Sequence, residues 1–144
     1  MIAVDTNVLV YAHRPEAPFH EVAQARVREL AEGHARWGIP VHCAVEFMGV
    51  VTHPRLWKQP SSMTHVEAQL AAWAESPSLR WLAEGEEFWR TLAAVAAGAR
   101  TQGGAIHDAR IAAICRDYGV TVLWTADRDF GRFPWLTTRN PLVA

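Results

Sequence analysis

Five acidic side chains stand where strands should end or helices should begin: Asp5, Glu46, Asp108, Asp127 and Asp129. Asp5 closes the apolar run Ile2-Ala3-Val4, and Asp127 follows the run Val120-Thr121-Val122-Leu123-Trp124. Asp108 falls in the first turn of a helix expected over 106–118, and Glu46 interrupts an apolar helical segment between Val45 and Phe47. Carboxylates gathered in one pocket repel one another unless a cation lies between them or some keep their protons. An all-oxygen ligand set suits hard divalent ions such as Mg²⁺ or Mn²⁺. Such ions lower the pKa of water, orient it and neutralise charge on a phosphodiester under attack. That chemistry needs neither a cysteine nucleophile nor a histidine base.

Each acid also has a plainer reading. Asp5, followed by Thr6 and Asn7, suits a helix cap, and Asp108 suits the positive end of a helix dipole. Glu46 alone would be a solvated helix residue, while Asp127 and Asp129 are good turn formers. The functional reading therefore rests on the four stretches acting together.

The elements that must position them alternate between strand and helix. A buried strand over 1–5 leads through Asp5-Thr6-Asn7 into helix, and a helix-like rhythm runs from Phe19 to about Glu32, stopped at Gly33. Residues 37–41 are too short for anything but a strand. Helical character resumes around 44–51 and ends at His53-Pro54, because the residue before a proline disfavours helical geometry. Residues 54–63 read as a loop, with Trp57 as the first candidate for an exposed tryptophan, and Thr64 with Glu67 fits a capping box for a helix over 65–74. A short strand over 79–82, a helix over 86–100 and a flexible joint at Gly103-Gly104 precede the helix 106–118, closed by Gly119, and the strand 120–124. Such alternation predicts an α/β layer fold around a central parallel sheet of about four to five strands. Ligands in such sheets bind beyond the carboxyl ends of the strands, where Asp5 and Asp127 fall.

Composition sets the frame. The 144 residues are half apolar and one-fifth charged, which suits one globular domain over 1–144. No apolar run approaches the roughly 18 residues that span a bilayer, and no basic-then-apolar leader is visible at the N-terminus. Cys43 and Cys115 read as reduced, buried thiols, so the cytoplasm is the expected compartment. A net charge of −1 excludes a chain that attracts nucleic acid by bulk charge. Any nucleic-acid enzyme with this balance must use local basic patches and metal ions. Arg55, Lys58 (the only lysine), Arg110, Arg128 and Arg132 are the candidates for steering phosphate towards the acids.

Four blocks carry a family resemblance: Val4-Asp5-Thr6-Asn7-Val8-Leu9-Val10-Tyr11-Ala12, Glu46 with Val50-Val51-Thr52-His53-Pro54-Arg55, His107-Asp108-Ala109-Arg110-Ile111-Ala112-Ala113, and Leu123-Trp124-Thr125-Ala126-Asp127-Arg128-Asp129-Phe130. In these blocks, in their order, and in Asn140-Pro141-Leu142, the chain resembles the PIN-domain ribonucleases, and among them the VapC-type toxins of toxin–antitoxin pairs. The resemblance spans essentially the whole chain. It implies a three-layer α/β/α fold and a Mg²⁺- or Mn²⁺-dependent endoribonuclease. In such an enzyme a metal-activated water attacks an RNA phosphodiester and leaves a 5′-phosphate and a 3′-hydroxyl. It makes Asp5 and Asp108 the principal metal ligands, with Glu46 completing the site or orienting its water and Asp127 as the fourth acid. Thr6, Asn7 and Thr125 would position the carboxylates, and Asp129 would assist or hold its loop. It further implies a homodimer and a cognate VapB-type antitoxin lying across the groove.

Other readings are weaker. Seven histidines form no HExxH and no zinc-finger spacing with cysteine, and His107 is expected to be structural rather than in contact with substrate. The seven tryptophans suit core or partner packing better than base stacking. A phosphatase using Asp5 as nucleophile would want a second aspartate at position 7, where Asn7 stands. A non-catalytic RNA- or protein-binding module on the same fold is the alternative from another class.

Overall fold

Side chains along a strand alternate between the two faces of a sheet, and β1 (Ile2–Val4) displays this in three residues. Ile2 and Val4 pack into one core and Ala3 into the other. The same division repeats in β4 (Val122–Trp124), with Val122 and Trp124 on the first side and Leu123 on the second. A parallel sheet with both faces apolar must be covered on both sides. The structure, a computed structural model describing residues 1–143, shows that three-layer solution. Ala144, the last residue of the expected domain, lies outside the described residues.

The order along the chain is β1, α1 (Thr6–His13), α2 (His20–Glu32), β2 (Trp37–Pro40), α3 (Val41–Val51), α4 (Met63–Ala74), β3 (Leu79–Leu82), α5 (Phe88–Gly98), α6 (Ile106–Asp117), β4 and β5 (Thr137–Arg139). The sheet runs β3-β2-β1-β4-β5, and every pairing is parallel. The chain thus builds outward from β1 to β3, then returns to the other side of β1 for β4. The direction of winding reverses between β1 and β4, and crevices for ligands open at such a point. Residues of α1 to α4 fill the core on one face, with Val8, Leu9, Phe47 and Trp73 among them. Residues of α5 and α6, with Phe130 and Phe133, fill the other.

Several local expectations change. α3 starts directly after Pro40, three residues earlier than its apolar rhythm suggests. The expected Thr64/Glu67 capping box is replaced by Ser62. Its backbone is extended (φ −73°, ψ 158°), as an N-cap requires, and its Oγ accepts the His65 N–H at 3.1 Å, while Thr64 is already helical. The Gly103-Gly104 joint is a 3₁₀ turn over Gly103–Ala105, with Gly103 in the left-handed region (φ 59°). β5 is an exposed edge strand of sequence Thr-Thr-Arg, whose polarity hides it from any hydrophobic pattern. Trp57 is half-buried, not exposed: its Nε1–H donates to the Val50 carbonyl at 2.9 Å and the Arg14 guanidinium lies 4.4 Å from its ring centre. Trp89 (61 %) and Trp135 (43 %) are the more exposed tryptophans. Both cysteines are free and buried, as expected. Among the described residues, no helix is long and apolar enough to cross a membrane.

Candidate active site

β1 ends after three residues because Asp5, extended at φ −80° and ψ 162°, caps α1 by accepting the Thr6 N–H at 2.7 Å. The cap reading of Asp5 is therefore correct, but the carboxylate does more. Its second oxygen, Oδ2, accepts the Thr125 hydroxyl at 2.7 Å, and the Cys43 thiol lies 3.5 Å from Oδ1. Burial raises the pKa of Asp5, and these hydrogen bonds only partly oppose that rise. Cys43 is pushed well above the ordinary thiol range, first by burial and then by the Asp5 charge, so it remains a protonated donor.

Thr125 joins the two strand ends. Besides donating to Asp5, its Oγ1 accepts from Asn7 Nδ2 (3.3 Å) and from the Asp127 N–H (3.0 Å). Asn7 Oδ1 in turn accepts the Ala126 N–H at 3.1 Å. The amide of Asn7 thus ties the loop after β4 to the start of α1. Thr6 contributes through its backbone N–H, since its hydroxyl turns to the Cys43 carbonyl (3.5 Å) rather than to a carboxylate.

Asp108 occupies the first turn of α6 but caps nothing: no side chain caps that helix. Its carboxylate instead stands with those of Asp127 and Asp129, one oxygen from each lying within 4.8 Å of the others. Burial and the charges of Asp127, Asp129 and Asp5 raise the pKa of Asp108, against a smaller opposing effect of Arg132. Asp127 is also the turn former anticipated for it, its Oδ1 accepting the Asp129 N–H at 2.8 Å.

Asp5, Glu46, Asp108 and Asp127 all line one cavity of about 340 Å³. Asp129 joins the tight carboxylate group without lining that cavity. Glu46 projects from α3 and is about half exposed. The rest of the lining is largely apolar and aromatic, supplied by Val10, Tyr11, Val50, Trp57 and Ile111.

His42 and His107 also line the cavity, with their rings parallel within 8° and 6.1 Å apart. His107 is exposed, which corrects the structural role expected of it. His42 was not singled out in the sequence, although its i, i+4 spacing to Glu46 on α3 is a visible signal. Its Nε2 lies 3.7 Å from Glu46 and has no hydrogen-bond partner among the described residues. Burial, then the Arg110 charge, lowers its pKa, so at neutral pH a neutral ring faces Glu46.

The five basic candidates divide. Arg110 is already engaged by Glu84, so its charge is matched. Arg55, Lys58 and Arg128 are exposed and line no part of the acidic cavity; Lys58 borders the neighbouring groove with Arg14 and Trp57. Arg132 stands beside the carboxylate group, its Nε–H donating to the Asp129 carbonyl at 3.1 Å.

The residues present fit a hard divalent cation. Three carboxylates converge, the charges of the others raising the pKa of Asp108, and every donor in the group is an oxygen.

Comparison with known proteins agrees with this fold. The PIN domain family model matches residues 2–136. Ribonuclease VapC43 of Mycobacterium tuberculosis is 34% identical over 142 residues, which cover 99% of this chain and 96% of the relative. Ribonuclease VapC48 of the same species is 29% identical over 137 residues, covering 95% and 94%. Among solved structures, the M. tuberculosis VapC20 toxin, described as cleaving the sarcin–ricin loop, superposes with a TM-score of 0.69 at 16% identity, covering 97% of this chain and all of that one. FitAcB from Neisseria gonorrhoeae superposes with a TM-score of 0.67 at 23% identity, covering 98% of each chain. The family match over nearly the whole chain, on a parallel sheet that carries Asp5 and Asp127 to one edge, leads to a single placement: this chain belongs to the PIN-domain family, as a VapC-type ribonuclease.

Proposed function

We propose that the cavity holding Asp5, Glu46, Asp108 and Asp127 hydrolyses RNA phosphodiesters as the toxin of a toxin–antitoxin pair, with Mg²⁺ or Mn²⁺ as its cofactor. The observation that carries this reading is the convergence of carboxylates from β1, α3, α6 and the loop after β4 on one cavity. Asp5, Asp108 and Asp127 would hold the ion, and Glu46, from α3, would complete the set or orient water. The bound ion supplies a water of lowered pKa and charge neutralisation at the phosphate.

The chain's own residues do the remaining work. Thr125, Cys43 and the Thr6 N–H hold Asp5 in one rotamer, aimed into the cavity. Asn7 holds the Ala126 N–H and so keeps Asp127 at the same edge. Glu46 would accept a proton from water held at the site, with neutral His42 one turn before it on α3. The apolar wall of Tyr11, Val50 and Trp57 offers a dry surface beside the scissile bond.

The expected partners are RNA as substrate, a VapB-type antitoxin and a second copy of the chain. The fold supports the antitoxin, since its solved neighbours include a toxin–antitoxin complex from Klebsiella pneumoniae and VapBC2 from Rickettsia felis bound to promoter DNA. Exposed Val41 and Val45 on α3 and Trp89 on α5 supply apolar surface for a dimer. The two free thiols suit a reducing cytoplasm.

RNA cleavage with Mg²⁺ or Mn²⁺ tests the reading, comparing the wild type with Asp5→Asn and Asp108→Asn. Each variant should lose roughly 100- to 1,000-fold in rate, the scale of removing one group that stabilises transition-state charge. Equal cleavage by all three proteins would assign the activity to a contaminant.

A further inference from the structure

The acidic cavity does not contain the only site-like feature near the carboxylates. A second cavity of about 250 Å³ opens between α5, the end of α6 and the loop before β5. Arg116, Arg132 and Trp135 line it, with the small residues Ala94, Gly98 and Ala99 as its floor. Arg116 lies over the indole, its guanidinium carbon 4.1 Å from the ring centre of Trp135. Trp135 is braced edge-on by Phe133, itself fully buried, yet remains 43 % exposed. Among the described residues, neither Arg116 nor Arg132 forms an ion pair, a state they share with most arginines of the chain; what sets them apart is that both line one cavity beside an exposed indole.

Two guanidiniums beside an exposed aromatic ring, one of them free of acidic partners and the other facing the carboxylate group, answer a specific chemical need. In a chain of net charge −1 they supply the local positive charge that an RNA strand requires. Guanidinium groups meet phosphate oxygens in a bidentate fork, and an indole face stacks on any base. Arg132 connects the two places, since it lines this cavity and also donates to the Asp129 backbone. We propose that Arg116, Arg132 and Trp135 form a nucleotide subsite that takes one phosphate and its base of the RNA strand beyond the scissile position, about 12 Å along α6 from Asp108, with Arg132 on the side nearer the carboxylates. The subsite extends the nuclease reading given above and rests on it for the identity of the strand. A second copy of the chain is a poorer occupant. In a two-fold contact centred here the arginines would face their own copies, with no carboxylate of the patch to meet them.

The test uses the full-length protein and a fluorescent single-stranded RNA oligomer. Binding is followed by anisotropy in EDTA, and cleavage is measured separately with Mn²⁺. Trp135→Leu should weaken binding roughly 5- to 100-fold, and Trp135→Phe should restore much of it. Arg116→Gln should lower the slope of log affinity against log salt by about 0.7, one phosphate contact on a single strand. In cleavage, both should raise KM more than they lower kcat. Thermal melting of each variant confirms that it is folded. Wild-type affinity and salt dependence in folded Trp135→Leu and Arg116→Gln would overturn the subsite. So would a change in oligomeric state by light scattering without loss of RNA affinity, which would assign the face to a contact between copies. The two readings fail separately. A wild type that binds RNA through these residues but cleaves nothing sinks the nuclease assignment alone, and a cleaving wild type with indifferent variants sinks the subsite alone.

Discussion

The hydroxyl of Thr125 donates to Oδ2 of Asp5 at 2.7 Å, bridging residues 120 apart in the chain. Parallel pairing brings them together: Val4 is in register with Trp124, and the Asp5 N–H continues the ladder to the Trp124 carbonyl at 2.9 Å. One side chain thus couples the acid at the end of β1 to the loop that carries Asp127.

That coupling predicts the behaviour of Thr125→Val. Removing the hydroxyl strips a hydrogen bond that stabilises the ionised form of Asp5, so its already raised pKa should rise further. Groups that orient a ligand in this way typically contribute about 10- to 100-fold in metal affinity. Calorimetric titration with Mn²⁺ should show a loss of that size, largely recovered in Thr125→Ser. Equal affinity in Thr125→Val would mean that the hydroxyl does not support the ligand.

Charge repulsion among the acids predicts a trade between stability and activity. A carboxyl whose folded pKa lies above its unfolded value stabilises the fold while protonated. That stability is lost as pH rises from the unfolded pKa of about 4 through the folded one. Asp5 and Asp108 both have raised pKa values, so at pH 7 each destabilises the metal-free protein. Asp108→Asn should therefore melt higher than the wild type in EDTA while losing cleavage. Mn²⁺ should raise the melting temperature of the wild type more than that of the variant, by mass action. A variant that melts lower in EDTA would show that Asp108 is a structural anchor.

His13 predicts an acid-side weakness away from the acidic cavity. Its Nδ1 lies 3.0 Å from Gln69 Oε1 and its Nε2 3.0 Å from Ser61 Oγ, with Arg14 also donating to Ser61. Burial, and the nearby His65 and Arg14 charges, lower the pKa of His13 against the opposing effects of Gln69 and Glu16. An imidazole depressed on folding stabilises the fold while neutral, and that stability is lost as pH falls below the unfolded value of about 6.5. Urea midpoints should drop between pH 7.5 and pH 5.5, and His13→Gln should show a shallower drop, part of the remainder coming from His42, which is also lowered. An unchanged slope in the variant would remove His13 as the source.

Gly38 is the glycine with the least room for a side chain. A Cβ there would stand 2.7 Å from Leu82 Cδ1, inside the contact distance of carbon atoms. Because Leu82 is almost fully buried and cannot swing clear, Gly38→Ala should cost about 1–3 kcal/mol by overpacking. Leu82→Ala in the same chain should recover part of that cost in a double-mutant cycle, read from denaturant unfolding. Strict additivity of the two changes would show that they do not touch.

Much of the architecture is legible in the chain because its signals are local. The apolar runs at β1 and β4, the proline at 54 and the glycine after α6 each act through backbone geometry or burial within a few residues. Asp5, Asp108 and Asp127 stand out for the same reason, being polar residues at the ends of apolar segments. The exposed edge strand β5 escapes notice because three polar residues carry no periodicity, and the cap of α4 shifts from Thr64 to Ser62 because backbone dihedrals, not residue type, select the capping group. What only the tertiary structure decides is which of these groups meet. The side-chain hydrogen bonds that hold Asp5 come from Cys43 and Thr125, and Arg116 stacks on Trp135 across a fold in the chain. Such contacts depend on strand order and helix packing, which are set by the sum of burial over the whole chain and leave no mark in the spacing of the residues that meet.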